Sequence, residues 1–170
     1  YNAEEDQYNT GLEAELRGRF HKNGFMTKSD LLKIVKWKFK ATMPGREKRE
    51  KNLLEKIDDN TVQHISRAVF VVREDCYRIK LLACIPGVKF AVASTILSFY
   101  DPHKYGIYDI HSWRGLMRTR ERKNPTFEDF ERFETTLRTK ANDFGMSCRD
   151  LEKAYFKKDN YDQAIPDLTK

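Results

Sequence analysis

Apolar side chains recur at intervals of three and four residues along almost the whole chain, and no stretch alternates apolar and polar residues with period two. That spacing gathers apolar groups on one face of a helix and scatters them over both faces of a strand, so it predicts an all-α fold. The punctuation agrees. The segment Glu4 to Arg19 starts acidic and ends basic, as a helix dipole prefers, and Gly24 supplies a stop. Thr27 or Ser29 can cap a second helix carrying Leu31, Leu32, Val35 and Phe39, and Pro44 suits the first turn of a third that runs to about Ile57. Thr61 can cap a fourth through Val72, although the β-branched and aromatic run Val69 to Val72 leaves a short strand open. Glu74 to Cys84 forms a helix with Cys76, Ile79, Leu82 and Ala83 inward, and Pro86-Gly87 stops it. From Lys89 the positions Val92, Ala93, Ile96, Leu97 and Tyr100 resume helical spacing until Asp101-Pro102. Asp109 caps a helix through Met117, Thr126 one through Asp143 and Ser147 one through Lys157, with Gly145 between the last two.

The 170 residues suit one compact helical domain spanning 1–170. No apolar run approaches the roughly 20 residues of a membrane span, so no membrane partner is expected. Eight glycines and five prolines are few, while 11 Phe, 8 Tyr and 2 Trp supply a core, which excludes collagen-like and disordered classes. The three cysteines, Cys76, Cys84 and Cys148, are odd in number and far apart, with no CxxC pair. They indicate neither a disulfide framework nor a zinc site, and a reducing intracellular compartment is expected. No basic leader with a following apolar stretch opens the chain.

Charge is gathered in two places. From Lys33 to Lys51 stand Lys33, Lys36, Lys38, Lys40, Arg46, Lys48, Arg49 and Lys51 against Glu47 and Glu50, a local excess equal to the +6 of the whole chain. A second run holds Arg114, Arg118, Arg120, Arg122 and Lys123 with Glu121. Clusters of this kind suit a phosphate backbone, because each neutralised phosphate releases counterions; a solvated helix face is the plainer account of either run alone. Of these residues Lys36, Lys38, Arg114 and Arg118 are the candidate DNA contacts.

The most informative stretch is Ile85-Pro86-Gly87-Val88-Lys89-Phe90-Ala91, followed by Tyr105-Gly106-Ile107-Tyr108-Asp109. Pro86-Gly87 ends one helix in a conformation that glycine adopts at little cost, and the next helix begins at once with its first N–H groups outside the helical ladder. Gly87, Val88, Lys89, Phe90 and Ala91 thus form a candidate anion site that grips a backbone phosphate without reading sequence.

On these residues, between Lys80 and Met117, the chain resembles the helix-hairpin-helix DNA glycosylase superfamily. That hairpin reads as an apolar residue, then Pro-Gly-Val-Gly, then a helix containing Ala, with a catalytic aspartate about twenty residues later; Ile85-Pro86-Gly87-Val88 and Asp109 match. The resemblance implies that Asp109 faces the flipped nucleotide from the start of a helix. Lys89 stands where the family has its second hairpin glycine. Ala91 stands where strand-cutting members carry a lysine nucleophile, which implies a monofunctional enzyme that hydrolyses the base–sugar bond with water. The four-cysteine signature of an iron–sulfur cluster is absent, and no cofactor is implied. The partner implied is double-stranded DNA holding a damaged or mismatched base, bound by a monomer.

Glycosidic cleavage builds positive charge on the sugar, and a fixed carboxylate beside C1′ stabilises it and orients water. Asp109 is the candidate, and capping alone would also account for it. An extruded base needs a pocket lined by stacking groups, for which Trp37, Tyr105, His111 and Trp113 are the candidates. Trp113 lies four residues after Asp109 on one helical face, where aromatics also build cores. Trp37, between Lys36 and Lys38, suits a strand-binding surface or the edge of the core. Two other functions stay open: a binding module that has lost catalysis, and a bifunctional glycosylase/lyase using an unassigned lysine. At the turn, the amine of Lys89 is expected to face phosphate.

Overall fold

A computed structural model describes residues 10–39, 44–119 and 124–164. Among them the protein is all-α, with nine helices and no strand. The chain divides into two compact units, Tyr1–Tyr100 and Asp101–Lys170.

The first unit holds α1 (Thr10–Asn23), α2 (Lys28–Phe39), α3 (Pro44–Glu55), α4 (Asp59–Val71), α5 (Asp75–Ala83) and α6 (Phe90–Tyr100). Every residue of α6 from Val92 to Phe99 is buried, so this helix has no solvent face, and α1, α2 and α5 pack on it. Leu16 and Phe20 of α1 and Leu31, Ile34 and Val35 of α2 complete the core. At the end of α6 the Tyr100 ring is stacked with Phe70 at 4.2 Å and with His21 at 4.6 Å. Its backbone oxygen lies 2.9 Å from the His21 Nε2.

The expected punctuation is met at most joints. Gly24 stops α1 with a left-handed φ of 71°. Thr27 begins α2 in a reciprocal arrangement: its hydroxyl accepts from the Asp30 amide, and Asp30 Oδ2 accepts from the Thr27 amide. At α4 the cap is Asp58 and not Thr61. Asp58 Oδ1 accepts from the Thr61 amide at 2.8 Å, and the Thr61 hydroxyl donates to Oδ2, which holds the Asp58 carboxyl below its ordinary range. The segment that left a strand open is the end of α4, because Val69 and Phe70 lie one turn beyond Ser66 and two beyond Val62 on the same buried face. On α5, Ile79 and Leu82 are buried as expected, whereas Ala83 is exposed.

The second unit holds α7 (Ile110–Met117), α8 (Phe127–Phe144) and α9 (Cys148–Ala164). Thr126 and Asp129 form a capping box at α8, Gly145 ends it with φ 63°, and the Ser147 hydroxyl accepts from the Asp150 amide at the start of α9. Helices α7 and α9 run very close together. A Cβ on Gly115 would stand 2.4 Å from the Tyr155 carbonyl oxygen, so only a residue without one fits. The core is aromatic: Tyr108 meets Trp113 and Phe133 edge-on, at 5.6 Å and 5.2 Å between centroids.

No helix among the described residues is long and apolar enough to cross a membrane.

Candidate nucleic-acid interface and reacting carboxylate

In the first unit, α5 ends in a tight turn. The amides of Cys84 and Ile85 donate to the carbonyls of Leu81 and Leu82, and the Val88 amide donates to Ile85 at 3.0 Å. Gly87 takes φ 85°, a left-handed value. Ile85 and Val88 are buried and pin the turn to the core, while Lys89, the residue before α6, is exposed. Helix α6 then starts at Phe90, and the Ala93 amide closes its first turn onto the Lys89 carbonyl. The carbonyl of Ala91 accepts from the hydroxyls of Ser94 and Thr95, so these two residues tie the start of the helix from within.

The basic run beside it is less available than its count implies. Lys33 pairs with Glu15, Lys51 with Glu47, and Arg46 and Arg49 flank Glu50. Lys36 is exposed and Lys38 half-buried; Lys40 lies outside the described residues. Trp37 meets Phe99 edge-on, with ring centroids 5.0 Å apart. That position at the edge of the core satisfies the plainer of its two expected roles.

In the second unit, Asp109 is the N-cap of α7. Its backbone is extended, with φ −148° and ψ 175°, and its Oδ1 accepts from the amides of His111 at 3.0 Å and Ser112 at 2.9 Å. The residue is only partly buried. Two deeper contacts fix the helix end that holds it. The Ser112 hydroxyl donates to Glu152 Oε1, and Glu152 pairs with Arg149; all three are buried. The approach to Asp109 is fixed in the same way: the Gly106 amide donates to Glu134 Oε2, and a Cβ on Gly106 would meet Leu137 Cδ2 at 2.3 Å. Sequence reasoning missed Glu134, Arg149 and Glu152, because charged residues are ordinarily assigned to solvent. A trace of the signal exists in Arg149 and Glu152, which stand three apart on α9 and so share a face.

The candidate pocket residues separate. Tyr105 and Trp113 are 0% and 2% exposed, so neither ring offers a face on which a base can stack. Trp113 is instead packed on Phe133, and the Arg132 guanidinium lies 5.1 Å from its ring centre. His111 keeps about a third of its side chain in solvent; its Nδ1 is 2.9 Å from Asp159 Oδ2, and its ring meets Phe156 edge-on. Arg114, expected to contact DNA, directs its guanidinium to the same Asp159 oxygen at 2.9 Å, so its charge is already partnered within the unit. Arg118 is exposed and closes α7 in the left-handed region with φ 54°. Arg120, Arg122 and Lys123 of the second basic run lie outside the described residues.

Burial pushes the Cys148 thiol up to about 11, and the nearby Glu134 carboxylate adds to the shift, which disfavours the thiolate form. No group of three or more His, Cys, Asp and Glu side chains among the described residues is placed to hold a metal ion. No family model matches the chain, and neither a curated protein nor a solved structure matches it.

Proposed function

We propose that this chain is a monofunctional DNA glycosylase that removes a damaged or mismatched base from duplex DNA, working as a monomer without a cofactor. The observation that carries the proposal is the Asp109 carboxylate, partly exposed and held at the start of α7 by two backbone amides. A carboxylate whose position is set by the backbone needs little reorganisation when positive charge develops on a sugar, and this is the condition for electrostatic catalysis. The target nucleotide leaves the stack, the bond from C1′ to the base breaks, and the electron pair of that bond departs with the base. Asp109 stabilises the cationic sugar and accepts a proton from the water that adds to C1′. The turn at Gly87 and the exposed Lys89 take backbone phosphate. The alanine at position 91 carries no amine to form a Schiff base, in keeping with hydrolysis and not strand cleavage.

The test is base release from a panel of duplexes, each with one damaged or mismatched base, followed by alkali to cut abasic sites. Asn and Ser both cap helices, so Asp109→Asn and Asp109→Ser remove the carboxylate while keeping α7 capped. Alkali-dependent cleavage by the wild type that falls at least about a hundredfold in both variants supports the proposal. A binding-only homologue would keep the same cap. It would show no release on any duplex, with salt-sensitive binding intact in all three proteins.

A further inference from the structure

Glu50 is the unusual residue of the basic run. It sits on α3 and is 1% exposed, yet Arg49 next to it is exposed and Arg46 half-exposed. Its Oε1 accepts from Arg49 Nη2 at 2.7 Å and lies 4.0 Å from Arg46 Nε. The side chain of Arg49 is 59% exposed, and the Arg46 guanidinium lies over the Phe39 ring at 4.9 Å. The other carboxylate oxygen, Oε2, has no hydrogen-bond partner and lies against the turn: a Cβ on Gly87 would stand 2.7 Å from it. Leu53, one turn along α3, is the next atom such a Cβ would meet. Gly87 is therefore glycine for two independent reasons, its φ of 85° and the approach of α3.

A carboxylate buried this deeply is costly unless its charge is compensated and its geometry fixed. Here compensation comes from two guanidiniums, which are thereby held where the turn meets α3. Arginine presents five donors in a rigid fork, so one edge can bind Glu50 while the others remain turned to solvent. Arg49 stays 59% exposed although it is bonded to Glu50, and Lys89 adds a second exposed cation.

We propose that Arg49, with Arg46 beside it, forms one phosphate-binding surface with the α5–α6 turn, and that Glu50 is the residue that positions it. The partner is the sugar–phosphate backbone of duplex DNA, contacted without regard to base sequence. The inference rests on the DNA-binding part of the function proposed above. It adds a contact from α3, which sequence spacing does not associate with the turn.

The experiment measures the affinity of the full chain for an undamaged, fluorescently labelled duplex across a salt series. Arg49→Ala is expected to weaken binding roughly fivefold or more at low salt, and to reduce the slope of log affinity against log salt by about one; Arg49→Lys is expected to keep the slope. Glu50→Gln gives the sharper sign. It makes the protein more positive, so a surface that works by net charge alone would bind more tightly, whereas loss of the anchor weakens binding about two- to fivefold despite the added charge. Unchanged affinity and slope for Arg49→Ala, in a wild type that binds salt-dependently, overturn the inference and leave the proposed function standing. Tighter binding by a folded Glu50→Gln overturns the positioning role. A wild type with no salt-dependent affinity for the duplex overturns both this inference and the proposal beneath it.

Discussion

The polar side chains buried on α6 are the hydroxyls of Ser94, Thr95 and Ser98, whereas the second unit buries Glu134, Arg149 and Glu152 among Trp113, Phe130 and Phe133. The first unit does bury carboxylates, but their arginine partners stay partly in water: Arg19 is 38% exposed against Asp30, and Arg49 is 59% exposed against Glu50. In the pair Arg149–Glu152 both partners are dry, at 2% and 1%. The difference sets what each region is good for. Apolar packing around α6 is dense but tolerant, since methyl groups repack with neighbours of similar volume. A dry ion pair with a serine hydroxyl bound to it is directional and unforgiving, and that serine, Ser112, also donates its amide to the Asp109 cap.

The largest effect is therefore expected from Glu152→Ala, which removes the buried carboxylate that pairs with Arg149 and accepts from Ser112. It should destabilise the protein by about 3–5 kcal/mol in urea unfolding. The half-solvated counterpart Asp30→Ala should cost only about 1–2 kcal/mol, from the lost cap at Thr27 and the weakened pair with Arg19. Equal losses would break the contrast between the two units.

Glycines sharpen the same comparison. Gly115→Ala drives a Cβ into the Tyr155 carbonyl, where backbone must move, and about 2 kcal/mol is expected. Gly24→Ala meets nothing within 4 Å and suffers only from its left-handed φ, so about 1 kcal/mol is expected. Thermal unfolding of the two variants measures both. A loss for Gly24→Ala as large as that for Gly115→Ala would mean that the α7–α9 contact is no tighter than the open end of α1.

The smallest effect concerns Cys148. Its thiol is raised from an ordinary 9.0 to about 11, so the folded state keeps a proton that the unfolded chain releases first. The neutral thiol's contribution is fully present below about 9 and is lost as pH rises through about 11. Between about pH 8 and about pH 10 the wild type should lose slightly more stability than Cys148→Ala, as read from urea midpoints. In the native protein, iodoacetamide should modify the exposed Cys84 well before Cys148. Rapid alkylation of Cys148 would show that the core of the second unit opens more readily than its packing implies.

Local chemistry was legible wherever a cap and its helix are neighbours in sequence. Asp109, Thr126 with Asp129, and Ser147 with Asp150 were all readable, because a side chain that binds an amide two or three residues on needs no tertiary help. The misplacement at Asp58 and Thr61 has the same origin. Both residues are competent caps, and they bind each other, so spacing alone does not choose between them.

What the sequence by itself determined is the helical class, most helix ends, the glycine turn before α6 and the position of Asp109 at the start of α7. These follow from interactions within four residues. Tertiary structure alone decided which charges are available and which are consumed. Arg114 and Asp159 are 45 residues apart, Ser112 and Glu152 are 40 apart, and the approach of Glu50 to Gly87 joins helix α3 to a turn with which it shares no sequence pattern. Such contacts depend on where chain segments meet after the apolar faces have packed. A one-dimensional count of charges therefore overstates the free basic surface, and it leaves unseen the buried ions that hold α7 in place.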